Sequence, residues 1–457
     1  MSRGIFWFRR DLRLADHPAL ERACASHDEL ALVYIDETHG QPHDASRAWL
    51  ARSLQALARD IAGRGGTLHV LAGEPEQLLP RLAAGLGAPA VHVSALQEPA
   101  ADARDARLAS LLARDGVSLR RSAGRLLTDA DLVRTRGDAP YRVFTPFLKA
   151  ARPTWRHQPR AAPVHLRGPA LPDALTASLT TVAPPDPAWD AGFWERWTPG
   201  EAGAWRRLDD FLERLDAYPV DRDIPAVDGT SRLSPHLHFG EISAGAVLDA
   251  AAARGGVGAG RFIAELGWRE FAHYVLHHWP ASAHANFNPR FDDMPWRVDP
   301  AGLHAWQQGR TGVPLVDAGM RQLWQAGWMH NRVRMVVASW LTKHMGIDWR
   351  NGAAWFMHTL VDADVANNAL GWQWVAGSGV DAAPYYRIFN PVTQSRRFDP
   401  HGVYLRRWLP EIAMLDDRAI HAPWEAGCVP RGYPATPLVD LARGRAEALQ
   451  RLQRLAR

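Results

Sequence analysis

The first 130 residues constrain the fold most, because strand and helix patterns alternate along them. Residues 4–8 and 29–36 are short apolar runs that predict buried strands. Residues 46–64 predict a helix, with Leu50, Leu54, Leu57 and Ile61 on one face. Three further strands are expected over 67–71, 90–94 and 117–121, separated by helices over 75–86 and 100–114. Such alternation implies a parallel sheet with helices on both faces, a Rossmann-like α/β domain over residues 1–130. No G-x-G-x-x-G turn follows the first strand, so the dinucleotide fingerprint is absent.

The texture then changes twice. Prolines gather in 153–172 and 184–187, which reads as an inter-domain connector over 131–200. Beyond it, helical periodicity covers 202–217, 244–253, 261–279, 316–326, 332–345 and 349–361, with few strand signals. A second, all-α domain over 201–457 follows, as expected of a 457-residue chain too long for one core. No apolar run is long enough to span a membrane. The apolar run within residues 1–11 is too short for a signal peptide. Cys24 and Cys428 are the only cysteines and lie far apart, which supports neither a disulfide framework nor a cysteine metal site and fits a reducing cytoplasm. His236 and His238 lack a third ligand in a recognisable pattern, so no metal is expected. A net charge of +4 permits nucleic-acid binding but leaves the weight on local basic clusters.

Of 20 tryptophans, 13 lie at or beyond Trp268, so the helical half has either a large aromatic core or a redox-active interior. The densest segment is 362–391, centred on Gly371-Trp372-Gln373-Trp374. Two indoles two residues apart on a helix point about 200° apart. One can face a buried cofactor while the other lines an open pocket. Asp362, Asp364 and Asn368 just upstream suit a polar heterocycle. In the hydroxyl-rich turn of 228–240, Thr230, Ser231 and Ser234 could cradle a phosphate or simply cap a helix. Glu265, Trp268 and Arg269 share a helical face, either as a surface ion pair or as the wall of an aromatic pocket.

These segments, with the opening run FWFRRDLRLADHPAL and the box GWMHNRVRM, resemble the DNA photolyase/cryptochrome family of light-driven flavoproteins over nearly the whole chain. The resemblance implies an α/β antenna domain followed by an all-helical FAD domain. It assigns FAD, reduced in the active form, to Tyr218, Thr230, Ser231, Arg232, Leu233, Ser234, Arg269, Asn331, Arg334, Asp362, Asp364 and Asn368. It sets Glu265, Trp268, Asn331, Met335 and Trp374 at the damaged bases, which would be flipped out of the duplex. Trp372, Trp349 and Trp296 match the family's electron relay, with Trp306 and Trp355 as alternatives. Arg222, Arg332, Arg387, Arg396 and Arg397 would meet DNA phosphates.

The same resemblance implies a deoxyribodipyrimidine photo-lyase, most like bacterial cyclobutane pyrimidine dimer photolyases from the branch near plant cryptochromes. A cryptochrome-like photoreceptor is the alternative, and a (6-4) photolyase a third reading. Asn331 and Met335 stand where (6-4) photolyases resemble a histidine pattern, and Asn368 where plant cryptochromes carry an aspartate. Ala100 and Ala101 replace the Asn-Glu pair of folate-binding members, so a second antenna chromophore could be folate, deazaflavin, another flavin or none. The expected partner is UV-damaged DNA, met by a cytoplasmic monomer.

Overall fold

The computed structural model describes residues 1–38, 44–182, 187–381, 386–427 and 429–455, without the side chains of 174, 187 and 188. Cys428, most of the second proline cluster and residues 382–385 of the tryptophan-rich segment lie outside the described residues.

Strands β1 (Arg3–Phe8), β2 (Glu29–Asp36), β3 (Leu68–Ala72), β4 (Ala90–Ser94) and β5 (Ser118–Ser122) form one parallel sheet in the order β3-β2-β1-β4-β5. Successive side chains on a strand face opposite sides. Phe6 and Phe8 of β1 therefore pack with α1 (Pro18–Ser26) and α2 (Ala45–Ala62). Ile5 and Trp7 pack with α3 (Pro75–Leu86) and α4 (Pro99–Ala113). Burial on both faces is why these strands read as apolar runs rather than alternating ones. Strands β3 and β5 each begin one residue later than the sequence pattern. Helix α1 was not anticipated: it is short, opens on Pro18, and is capped by His17 accepting from the Leu20 N–H.

The C-terminal half is helical, as expected. The helices Gly256–His278, Asn331–Ser339, Trp349–Thr359 and Val365–Ala376 matter most for function. The expected single helix over 332–345 is α-helical only to Ser339 and continues as a π-helical turn, Trp340–Met345. That turn holds Lys343 fully buried, its Nζ 2.5 Å from Ala376 O and 3.1 Å above the Tyr386 ring. The helix expected over 202–217 ends at Leu212, and Pro300–Gln307 and Leu441–Leu455 are helices the pattern missed.

The α1/α2 face of the sheet packs against the helical half through Phe193, Trp197, Phe239, Trp328 and Val361. Glu241, wholly buried, ties the two halves by accepting from Trp49 Nε1 at 3.0 Å and from the Gly200 N–H at 2.7 Å while pairing with His236. Gly240 beside it has φ +68°, and a Cβ there would lie 2.2 Å from Arg10 O. Positive φ and backbone approach both demand glycine. Gly240→Ala is expected to cost about 2 kcal/mol or more. A lower denaturant midpoint at unchanged slope checks this; an unaltered midpoint would contradict the close contact.

Candidate functional site

A cavity of about 400 Å³ opens in the helical half. Its wall brings together four stretches far apart in sequence: the hydroxyl turn 230–234, the helix Gly256–His278, the start of Asn331–Ser339, and the segment 362–375. Tyr218, Arg222, Thr230, Ser231, Arg232, Leu233, Ser234, Glu265, Trp268, Arg269, Asn331, Arg334, Met335, Asp362, Asp364, Asn368 and Trp372 all line it. Trp374, Trp349, Trp296, Arg332, Arg387, Arg396 and Arg397 do not.

The turn owes its shape to Arg232, a non-glycine residue at φ +49° whose guanidinium lies over Trp328 at 5.1 Å. Burial pushes the Arg232 guanidinium down to about 10, so it stays charged at neutral pH. Arg207 and Arg214 gather with it on Asp228. The following helix, Ser234–Phe239, has no side-chain cap. The hydroxyls of the turn are thus not spent as caps, and a cationic, hydroxyl-bearing loop of this kind suits a diphosphate.

Glu265, Trp268 and Arg269 share the helical face that the sequence predicts, but the ion pairing differs. Glu265 pairs with Arg222, and Arg269 pairs with its neighbour Glu270 at 2.8 Å. Arg222 is therefore held inside the cavity rather than displayed for DNA, its side chain 11 % exposed. Trp268 stacks on Phe144 at 3.7 Å between ring centroids, which occupies one of its faces and leaves the other to the cavity. Arg334 donates to Met329 O at 2.8 Å and pairs with Asp362 at 3.2 Å. Asn368 donates from Nδ2 to Ala353 O at 3.0 Å.

The two indoles of the central motif do separate. Trp372 is buried in the cavity wall, its Nε1 without a hydrogen-bond partner in the protein. Trp374 is half-buried outside the cavity, with Arg387 5.5 Å from its ring. Trp372 rests on Gly352, where a Cβ would meet the ring at 2.0 Å, so glycine lets Trp349–Thr359 approach this closely. Its aromatic neighbours are Phe356 at 5.0 Å and Trp306 at 6.2 Å. Trp349 lies in the same apolar cluster and donates to Asn286 at 2.9 Å, while Trp296 packs half-buried against that cluster. Trp355 stacks instead on Trp324 at 5.9 Å.

Of the arginines expected at DNA, Arg332 pairs with Asp223 at 2.6 Å and Arg396 with Glu425 at 3.6 Å. Arg332 and Arg397 flank the Phe398 ring at 4.3 and 5.0 Å. No carboxylate within salt-bridge distance of Arg397 occurs among the described residues, and it is exposed.

Sequence reasoning missed the inner wall. Arg125 and His238 line the cavity there, and the Asp364 carboxylate lies 3.5 Å from Arg125, 3.6 Å from His238 and 3.5 Å from His273. Burial opposes ionisation of Asp364, but His273, His238 and Arg125 outweigh it and hold the carboxyl well below its usual range. Burial pushes both imidazoles down from their usual value, against the pull of the Asp364 carboxylate. Asp364 also caps its own helix, accepting from the Asn367 N–H at 2.9 Å.

Residues 262–454 match the family described as FAD binding domain of DNA photolyase, and residues 4–165 match the family DNA photolyase. The chain is 43 % identical to a deoxyribodipyrimidine photo-lyase of Agrobacterium fabrum, over 97 % of this chain and 96 % of that one. Its structure resembles a bacterial class III photolyase from Agrobacterium tumefaciens with a TM-score of 0.94 and 42 % identity, covering 100 % and 98 % of the two chains. It is also 33 % identical to Cryptochrome-2 of Arabidopsis thaliana, over 93 % of this chain and 73 % of the relative.

Proposed function

We propose that this chain, which belongs to the DNA photolyase and cryptochrome family, is a deoxyribodipyrimidine photo-lyase that uses FAD and light to split cyclobutane pyrimidine dimers in DNA. The observation that carries this reading is one shared cavity: Glu265, Trp268, Asn331 and Met335 face the same space as the diphosphate-type turn and Asp362, Asp364 and Asn368.

The residues present fit FAD. The arginines gathered at the hydroxyl turn balance a diphosphate, and the same cavity offers Asp362, Asp364 and Asn368 to a polar heterocycle. Tyr218 and Thr230 to Ser234 hold the phosphate end; Arg269, Asn331, Arg334, Asp362, Asp364 and Asn368 hold the rest. When bound and reduced, FAD supplies an electron to the dimer after absorbing light and takes it back once the ring has opened. The protein orients and excludes water. Glu265 offers hydrogen bonds to the flipped bases, with Arg222 fixing its carboxylate. The free face of Trp268 and the side chain of Met335 give the bases an apolar seat. Trp374, half-buried outside the cavity with Arg387 over its ring, would add a stacking face for the lesion. Trp372 is the first ring of the path that refills the flavin with electrons, continuing through Trp349 to half-buried Trp296.

Asn331 and Met335 favour the cyclobutane dimer over the (6-4) lesion. Defined oligonucleotides bearing each lesion, illuminated with reduced protein, check this: the dimer is repaired and the (6-4) product is not. Repair of the (6-4) product would contradict the assignment.

Arg332, Arg387, Arg396 and Arg397 meet the flanking phosphates, and Arg397, exposed beside Phe398, is the clearest of them. Arg397→Ala should weaken binding of any sequence alike and lower the slope of log K against log salt by about one. An unchanged slope removes it from the contact. No helix among the described residues is long and apolar enough to cross a membrane. The two-cysteine composition supports a cytoplasmic setting.

A further inference from the structure

Arg125 belongs to the segment after β5, and it reaches the cavity wall from the α/β side. It is 5 % exposed. Its Nη1 donates to Leu96 O and to Glu98, each at 3.1 Å. Its Nε and Nη2 have no hydrogen-bond partner in the protein. Nη2 stands 3.5 Å from Asp364 Oδ2, close enough for an ion pair but long for a hydrogen bond. A buried guanidinium with two idle donors is costly unless something else accepts from them.

The charges around it narrow what that acceptor is. Beside the titratable imidazoles of His238 and His273, Arg125 is the one permanent cation within salt-bridge distance of the Asp364 carboxylate among the described residues. Glu98, His273 and Asp364 converge closely enough to suggest a cation site. Arg125 already lies within ion-pair distance of both carboxylates, so an added metal ion would meet a fixed cation. Arg125 also belongs to the wall of the cavity that a large anionic ligand would fill, so its charge acts on that ligand as well as on Asp364.

We propose that Arg125 is an electrostatic partner of the cofactor: its charge cancels that of Asp364 beside the bound flavin dinucleotide, so that the reduced, anionic flavin is stabilised. The inference rests on the assignment of this cavity to FAD. Removing the cation leaves Asp364 uncompensated beside the flavin and disfavours the anionic reduced form.

The test is the flavin reduction potential, read by equilibration with reference dyes. Arg125→Gln should lower it by at least a tenfold change in the oxidised-to-reduced ratio, about 30 mV for a two-electron couple. Arg125→Lys keeps the charge and should stay near the parent. Asp364→Asn, which retains the helix cap, should raise the potential, and the double variant should return towards the parent. If Arg125→Gln does not fold, the double variant is compared with Asp364→Asn alone, where the same fall is expected. A flavin-bearing protein whose potential ignores Arg125 in both backgrounds overturns the inference and leaves Arg125 as a tie between segments. A parent protein that takes up no FAD overturns the cavity assignment itself, and this inference with it.

Discussion

Trp372→Phe is expected to abolish light-driven reduction of the oxidised flavin while chemically reduced protein still repairs dimers. The argument starts from packing. Trp372 is buried in the cavity wall and continues into the cluster that holds Trp306, Trp349 and Phe356. Phenylalanine keeps most of the apolar contact, including the fit against Gly352, but is much harder to oxidise than indole. The fold and the lesion seat are untouched, so only electron supply fails. Transient absorption after a flash on oxidised protein reads the effect. The companion variants Trp349→Phe and Trp306→Phe separate the two continuations, because Trp306 is the indole whose ring meets Trp372 at 6.2 Å. Photoreduction that survives Trp372→Phe at the parent rate removes this indole from the path.

Glu265→Ala should cut repair per absorbed photon roughly tenfold to a hundredfold while FAD stays bound. A hydrogen bond to a charged group contributes about 1.5–3 kcal/mol, and each 1.4 kcal/mol is about a factor of ten. Two causes must be told apart. The variant removes the carboxylate that would meet the bases, and it leaves Arg222 as a largely buried cation without its partner. Arg222→Ala/Glu265→Ala removes the orphan charge. If repair stays low in the double variant while stability recovers, the carboxylate acts on the lesion. Full recovery of repair would mean that Glu265 serves only to neutralise Arg222.

The architecture was largely legible because its signals are local. Apolar runs in β1 and β2 and the leucine stripe of α2 follow from burial on a two-sided parallel sheet. Helix α1 escaped because it is short and opens on a proline within a charged stretch. The break at Ser339 escaped because a π-helical turn keeps helical periodicity while shifting its phase. In the site, the motif residues Thr230 to Ser234, Glu265, Trp268, Asp362 and Trp372 could be named from sequence because each sits in a dense cluster of unusual residue types. Their pairings could not. Glu265 has Arg269 four residues away on its own helix yet chooses Arg222, and Phe144 covers Trp268 from another element. Arg125 carried no local signal: it sits between Gly124 and two leucines in a segment with no motif, and only the docking of the α/β domain brings it to Asp364.

The most direct test of the central claim is light-dependent repair. Protein with its flavin reduced is mixed with UV-damaged oligothymidylate, and the base absorbance is followed under blue light and in the dark. Recovery in light alone, lost when the FAD is removed, is the expected result. No recovery from protein that demonstrably carries reduced FAD would contradict the account and leave this cavity to a photoreceptor that signals without repair.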